Sequence, residues 1–368
     1  MTGPSSPRFP SQVATCVPHE RLLAAEDLAP DTLDLCTGQN PYGPPAYAIE
    51  AACQALCARY LDPSAGSARR SVAERFGLDP DQVLIGHGAT ELAFSCARAL
   101  ASSPCVWLSI EPAESECSAA ARRAGARIMR WRSVERTGHR VDLEQVAELI
   151  RLERPSVVSL CAPGSPTGAS VPFARLRALA EQFPETRFVV EQSWLSLSDD
   201  HADLELAPTA NMICIRSLSL DFALPGARAG YAVASPALIG HIDAARSSYT
   251  ANAAAQAIVQ LAMRDKEFVA SSRRALQADR ARLAGVLDTL GLHYTPSVAP
   301  FLLLRIARAE EVALELFEEH HIAVSDATRF GLPDHIRISA VSASAAPRLQ
   351  AALAHVTQRR GLVAGREA

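Results

Sequence analysis

Lysine is nearly missing from this chain. Among 36 basic residues in a length of 368, one is Lys266 and the rest are arginine. Chemistry that needs a primary side-chain amine, imine formation above all, therefore has a single candidate. Its surroundings, Ala262-Met263-Arg264-Asp265-Lys266-Glu267, read as the polar face of a long helix, which makes Lys266 a solvated surface residue. Aromatic residues are scarce too, at 5%. No uninterrupted apolar run reaches the roughly 18 residues that a membrane span needs, so no membrane partner is expected. A net charge of −4 provides no basic field for nucleic acid or an anionic surface. Met1 to Pro10 is rich in Pro and Ser and lacks a basic segment followed by an apolar one, so it is not a signal peptide. The nine cysteines are Cys16, Cys36, Cys53, Cys57, Cys96, Cys105, Cys117, Cys161 and Cys214. They include no CxxC pair, and most sit in apolar runs. Small core residues in a reducing cytoplasm fit that pattern; a disulfide framework or a metal site does not.

What remains is ordinary globular material, 48% apolar and 21% charged, long enough for a large domain and a smaller one. Residues 1–30 are Pro-rich with little periodicity and read as an arm. From residue 82, short apolar runs (83–85, 106–110, 127–131, 157–161, 188–190, 212–215) alternate with amphipathic helices (91–101, 115–124, 142–152, 173–183). That alternation predicts an α/β fold with a mostly parallel sheet covered on both faces. Ligands in such sheets bind at the carboxyl ends of the strands. The loops 86–90, 161–168, 191–194 and 216–228 lie there. After Pro236 the pattern changes to one long Ala- and Arg-rich helix from about 252 to 290, then a strand at 301–305, a helix near 310–320, a strand at 335–339 and a last helix from about 345. This is a smaller α+β domain.

The stretch from Ile215 to Tyr231 organises the rest. It reads as strand, loop, short helical turn at Pro225-Gly226, and strand. Ser217 and Ser219 offer hydroxyls and Arg228 a planar fork around one bend, a set that can hold a phosphate; the plainer reading is a polar loop with a surface Arg. Gly86-His87-Gly88-Ala89-Thr90-Glu91 joins a strand to a helix. Gly88, Ala89 and Thr90 can turn backbone N–H groups toward an anion at a helix N-terminus; the plainer reading makes Thr90 a cap.

The loop at 215–231 is similar to the lysine loop of fold type I, class I and II aminotransferases. The likeness is greatest to the histidinol-phosphate aminotransferase and threonine-phosphate decarboxylase branches, which read roughly R-S-L-T-K-x-F-A-L-P-G-L-R. The other loops match in order. Residues 86–91 resemble G-N-G-S-x-E, 161–168 resemble N-P-N-N-P-T-G, and Glu191-Gln192-Ser193-Trp194 stands where the family has D-E-A-Y. The resemblance implies a large domain over 31–240 with a seven-stranded type of sheet. Residues 31–80 would partly serve the small domain and a dimer interface, and 241–368 would form the linking helix and small domain. It further implies Gly88, Ala89, Thr90, Ser217, Arg228 and Tyr60 around a cofactor phosphate, with Tyr60 reaching across the dimer interface. Ser165, Glu191 and Trp194 fall at the ring positions, and Asn40, Tyr42 and Arg337 at substrate positions.

The departures are equally definite. Leu220 occupies the position of the family's Schiff-base lysine. Glu191 replaces Asp at the pyridinium nitrogen, Ser165 replaces Asn, and Trp194 replaces Tyr. The segment Glu111-Pro112-Ala113-Glu114-Ser115-Glu116-Cys117 has carboxylates where a ring-stacking aromatic belongs, and these would repel an anionic cofactor. The groups that would grip a phosphate and a carboxylate are kept, and the groups that handle the pyridine ring are altered. No catalytic residue can be named.

Three readings follow. The chain has lost ordinary transamination and keeps a pocket for an amino-acid-like or phosphorylated small molecule. Alternatively, it uses pyridoxal or pyridoxamine phosphate held without a covalent bond, with His87 or another group as base. Or it is a non-catalytic partner in a heterodimer or pathway complex. In each the expected assembly is a cytoplasmic dimer, homodimeric unless the third reading holds, with a small-molecule ligand and no nucleic acid.

Overall fold

The computed structural model describes residues 31–361 apart from 59, 103, 114, 115 and 206; the expected arm at 1–30 lies outside them. A two-residue strand, β1 (Leu33–Asp34), is followed by helices α1 (Ala46–Ala58) and α2 (Gly66–Phe76). The central sheet then builds from apolar runs too short for helices and rich in branched residues. Its strands are β2 (Val83–His87), β3 (Val106–Glu111), β4 (Arg127–Arg132), β5 (Val157–Cys161), β6 (Arg187–Glu191), β7 (Met212–Ser217) and β8 (Ala229–Ala234). They lie in the order β2-β8-β7-β6-β5-β3-β4. All neighbouring pairs are parallel except those of β8, which runs antiparallel to both β2 and β7. The expected α/β fold with a mostly parallel sheet is therefore present.

Strand alternation decides what covers each face. Ile213 and Ile215 of β7 face a core shared with α3 (Gly88–Leu100), α4 (Cys117–Arg123) and α7 (Pro236–Ala244). Met212 and Cys214 face the opposite way, into a core with α5 (Leu143–Glu153) and α6 (Phe173–Gln182). At the β2–β8 edge that second face is covered by α1, α2 and α8 (Ala253–Arg264), through Val72, Ile258 and Val259. Helix α5 starts at a strong cap: Asp142 accepts from the backbone N–H of Glu144 and Gln145.

The single helix expected over about 252–290 is two. The chain leaves helical geometry at Asp265 (φ −95°, ψ 90°), whose side chain accepts from the Phe268 N–H at 3.0 Å and so caps a new helix, α9 (Lys266–Thr289). An Asp can satisfy an orphan donor at a helix start, and here it outweighs the continuing apolar period. Lys266 consequently opens α9 instead of lying in mid-helix, and it is exposed as expected. Beyond α9, a four-stranded antiparallel sheet has the order β12-β13-β10-β9, from β9 (Tyr294–Thr295), β10 (Phe301–Arg305), β12 (Ser325–Asp326) and β13 (His335–Ser339). Helices α10 (Ala309–His320) and α11 (Ala346–Arg359) pack on it with Leu283 and Leu287 of α9. The chain start returns here: β1 pairs in parallel with β11 (Ile322–Ala323).

Candidate functional site

Strand register assembles the first half of the site. Ser217 of β7 pairs with Gly230 of β8, which pairs with Gly86 of β2. A Cβ at Gly230 would meet the Gly88 carbonyl carbon at 2.9 Å and the Ala89 nitrogen at 3.1 Å, so the first turn of α3 lies directly on β8. Gly88 has φ +76°, and a Cβ there would stand 2.7 Å from Arg228 Nη2. Glycine is required twice at this position, for its backbone angle and for the guanidinium beside it. Arg228 thus lies at the N-terminus of α3, where the N–H groups of Gly88, Ala89 and Thr90 precede the first helical hydrogen bonds. Its Nη1 donates to the Pro225 carbonyl at 3.2 Å. Ser217, one strand over, accepts through Oγ from the Ser219 N–H at 3.3 Å. Thr90 sits inside the helix, which begins at Gly88, so it is not the N-cap that the plainer reading made it. His87, at the cap position, donates its N–H to Glu91 Oε2 at 3.1 Å, and its Nδ1 lies 3.2 Å from the Asn252 amide nitrogen. Because that amide can only donate, His87 Nδ1 is the acceptor and Nε2 carries the proton of the neutral ring.

The second half forms around Arg337, which is 2% exposed. Its Nη1 donates to Ser165 Oγ at 2.9 Å and its Nη2 to the Cys36 carbonyl at 2.8 Å. The guanidinium also lies over the rings of Phe301, at 5.2 Å, and Trp194, at 5.6 Å. Those two rings meet edge to face with centroids 5.1 Å apart. Leu220 packs on the cluster they make with Ala299. The position that the resemblance gives to a lysine is therefore set in hydrocarbon and aromatic surface. Gly38 (φ +69°) seals the arrangement: a Cβ there would fall 2.2 Å from Trp194 Cη2. Glu191, at the end of β6, accepts from Ser193 Oγ at 3.0 Å.

Other residues singled out in the sequence take different places. Asn40 is 1% exposed. Its amide donates to the Asp221 carbonyl and to Ser272 Oγ, both at 2.9 Å, and its Oδ1 accepts from the Tyr42 N–H. Those bonds make it a brace between the chain start, the 217–222 loop and α9. The Tyr42 hydroxyl donates to Asp279, and burial together with that carboxylate pushes its pKa up to about 12. Tyr60 does not join the site within its own chain; it is 82% exposed, with its ring edge on Tyr249. Glu111 does not act as the free carboxylate expected of its segment, because Arg130 and Arg132 pair with it at 2.9 and 2.7 Å; Glu114 lies outside the described residues. Among the described residues six cysteines are buried, as expected, and Cys53 and Cys57 are exposed on α1. Glu319, His320 and His355, brought together by α10 and α11, place three ligand-type atoms within 4.8 Å of one another. Each already has a protein partner, the two rings each other at 3.1 Å and Glu319 the Arg359 guanidinium.

Pyridoxal phosphate, the cofactor that the resemblance implies, would fit this site at one end only. The Gly88–Arg228 corner suits a phosphate. At the other end Leu220 offers no amine, and the chain's one lysine opens α9 beside a different cavity, lined by Arg216 and Asp221. Sequence reasoning missed Phe301, Arg216 and Asp221. The first carries no local signal at all. Arg216 had one, a charge directly after the apolar run 212–215.

A sequence model of the family described as aminotransferase class I and II matches residues 30–356. The histidinol-phosphate aminotransferase of Rhodospirillum centenum is 31% identical over 318 residues, covering 83% of this chain and 86% of the relative. That of Symbiobacterium thermophilum is 29% identical, covering 84% and 86%. Among solved structures, histidinol-phosphate aminotransferase from Sinorhizobium meliloti in complex with pyridoxal 5′-phosphate superposes with a TM-score of 0.84 at 21% identity, covering 97% of this chain and 99% of that one. L-threonine-O-3-phosphate decarboxylase from Porphyromonas gingivalis does so with 0.77 at 22%, covering 89% and 99%. The structural likenesses establish the fold. With the family match and the sequence relatives, they show that this chain belongs to the class I and II aminotransferase family.

Proposed function

We propose that the protein binds a small molecule bearing a phosphate and a carboxylate, and has lost transamination that depends on a lysine-bound cofactor. The observation that carries this reading is Leu220, packed on Trp194, Ala299 and Phe301. In the family, pyridoxal phosphate supplies an electron sink for chemistry next to an amino group. A lysine both tethers it and moves the proton. General acid–base groups of that kind contribute roughly 10²–10⁴-fold, so a hydrocarbon in that place forfeits at least that much. The remaining groups bind and orient. The first turn of α3 and Arg228 supply donors for a phosphate, and Arg337 supplies a buried guanidinium for a carboxylate. Calorimetric titration with pyridoxal phosphate, pyridoxamine phosphate and inorganic phosphate tests the reading. Saturable binding with no amino exchange supports it; normal exchange rates refute it.

A second reading, a cofactor held without a covalent bond, draws on Glu191 and His87. The carboxylate stands at the end of β6 with Ser193 holding one oxygen, and His87 is half-buried at the start of α3. Slow exchange with added pyridoxamine phosphate, abolished in His87→Gln, would favour it over the first.

We further infer a dimer in the cytoplasm. The exposed Tyr47, Ile49, Leu56 and Tyr60 and the neighbouring Tyr249 supply an apolar face. A homodimer uses that face twice; a non-catalytic heterodimer partner uses it once. Light scattering on the purified chain separates the two, and a monomer counts against the homodimer. No helix among the described residues is long and apolar enough to cross a membrane.

A further inference from the structure

On either side of Leu220, the residues Leu218, Asp221 and Phe222 turn the other way and line a cavity of about 200 Å³. It lies between the 217–222 loop, the end of α2 and the start of α9. Four cationic side chains reach its wall or rim: Arg75, Arg216, Arg273 and Lys266. Two carboxylates do. Asp265 is occupied by the Phe268 N–H and the Tyr47 hydroxyl. Asp221 accepts from Ser196 Oγ at 2.6 Å, and burial pushes its pKa up to about 7, so it carries only part of a charge near neutrality.

Arg216 is the decisive group. It is 4% exposed. Its Nε donates to Gln192 Oε1 at 2.9 Å and its Nη2 to the Leu204 carbonyl at 3.1 Å, while the rings of Phe76 and Tyr231 lie 4.9 and 5.8 Å from it. Among the described residues no carboxylate comes within ion-pair distance of it. A buried guanidinium without a counter-ion is costly, and the usual resolution is an anion. Gln192, 2% exposed, repeats the imbalance: its Oε1 serves Arg216, and its Nε2 has no partner among the described residues. Gln192 Nε2 is thus a buried donor on the wall, and Phe222, Met263 and Val269 add an apolar part to it.

We propose that this cavity is a second ligand site, separate from the Gly88–Arg228 corner, which takes a small organic carboxylate with its oxygens on Arg216 and Gln192 Nε2 and its hydrocarbon body against Phe222 and Met263. Ser217 and Asp221 belong to both the cavity wall and the loop that carries Leu220, so the occupant also braces that loop.

Butyrate and benzoate are the probes, with benzamide as the uncharged control, each titrated calorimetrically into the full chain. The expected result is saturable binding that persists in Arg337→Gln, where the other carboxylate grip is removed, with a dissociation constant of about 1 mM or below, and benzamide at least tenfold weaker. Arg216→Met weakens butyrate by about tenfold or more, because truncating one partner of a buried charged pair is costly. Should that variant fail to fold, Arg273→Met at the half-exposed rim gives the same direction of change. Arg228→Met leaves butyrate binding intact, and inorganic phosphate does not displace butyrate from that variant. Absence of butyrate and benzoate binding in the unaltered protein overturns the site. So does butyrate binding that falls with Arg228→Met and not with Arg216→Met or Arg273→Met, or displacement by phosphate. Failure of the phosphate reading appears elsewhere, as phosphate binding that ignores Arg228→Met, so the two can fail separately.

Discussion

The guanidinium of Arg228 fills the space that a side chain on residue 88 would need: a Cβ on Gly88 would stand 2.7 Å from Arg228 Nη2. The pair makes up the corner proposed to take an anion, built from a helix start and a strand start that the β2–β8 register brings together. Arg228→Met should leave the circular dichroism spectrum unchanged and weaken phosphate binding by about tenfold or more, since a hydrogen bond to a charged group contributes about 1.5–3 kcal/mol. Gly88→Ala should weaken it as well and cost stability, about 1–2 kcal/mol for the left-handed backbone alone. Calorimetry and thermal melts measure both.

Gly38 and Trp194 are matched in the same way. Gly38→Ala must move the indole or the backbone, because the added carbon would fall 2.2 Å from Cη2. A loss of about 1–3 kcal/mol is expected, the usual range for an overpacked core. Trp194→Phe, which lacks that ring edge, should cost less when Ala occupies position 38 than when Gly does. Chemical denaturation of the four combinations checks the coupling; strict additivity would mean that the two residues do not meet.

Asp221 makes stability fall as pH rises. Its pKa is near 7 in the folded chain, raised by burial, against an ordinary value of 3.8. Between those values the unfolded chain releases a proton that the folded chain keeps, so each pH unit subtracts at most about 1.4 kcal/mol. Below the lower value the contribution is complete, and above about pH 7 no more is lost. Asp221→Asn can keep the Ser196 bond and cannot ionise. The difference in stability between the two proteins should therefore shift in favour of the variant from pH 4 to 7 and then level off, as followed by urea denaturation across that range.

The central sheet and its strand-end loops were legible because short continuous apolar runs alternate with amphipathic helices, and because Gly, Pro and Ser mark the turns. Leu220 was legible as a hydrocarbon, but its surroundings were not. Trp194, Ala299 and Phe301 converge on it from distant segments, and no local pattern reports that. Asp265 was hidden inside a continuous apolar period, where only its capping bond reveals the break. Asn40 looked like a ligand-facing residue by its place in the chain; hydrogen bonds to Asp221 and Ser272, far away in sequence, turn it into a brace. Arg216 lay in plain view, yet its burial without an ion pair is a property of packing alone.

Placing an amine where Leu220 stands tests whether the rest of the pocket is intact. Leu220→Lys should lower the melting temperature, because the new ammonium group meets Trp194, Ala299 and Phe301. On addition of pyridoxal phosphate the variant should gain a visible absorption band that the unaltered protein lacks. A variant that folds and gives no band would mean that the phosphate corner and position 220 do not serve one ligand.

The most direct measurement uses the unaltered protein. It is incubated with pyridoxal phosphate, reduced with borohydride and mapped by peptide mass, with amino exchange assayed in parallel. The predicted result is cofactor that leaves on dialysis, no stoichiometric adduct on Lys266 and no ordinary exchange. One adduct per chain on Lys266 together with steady transamination would contradict the account.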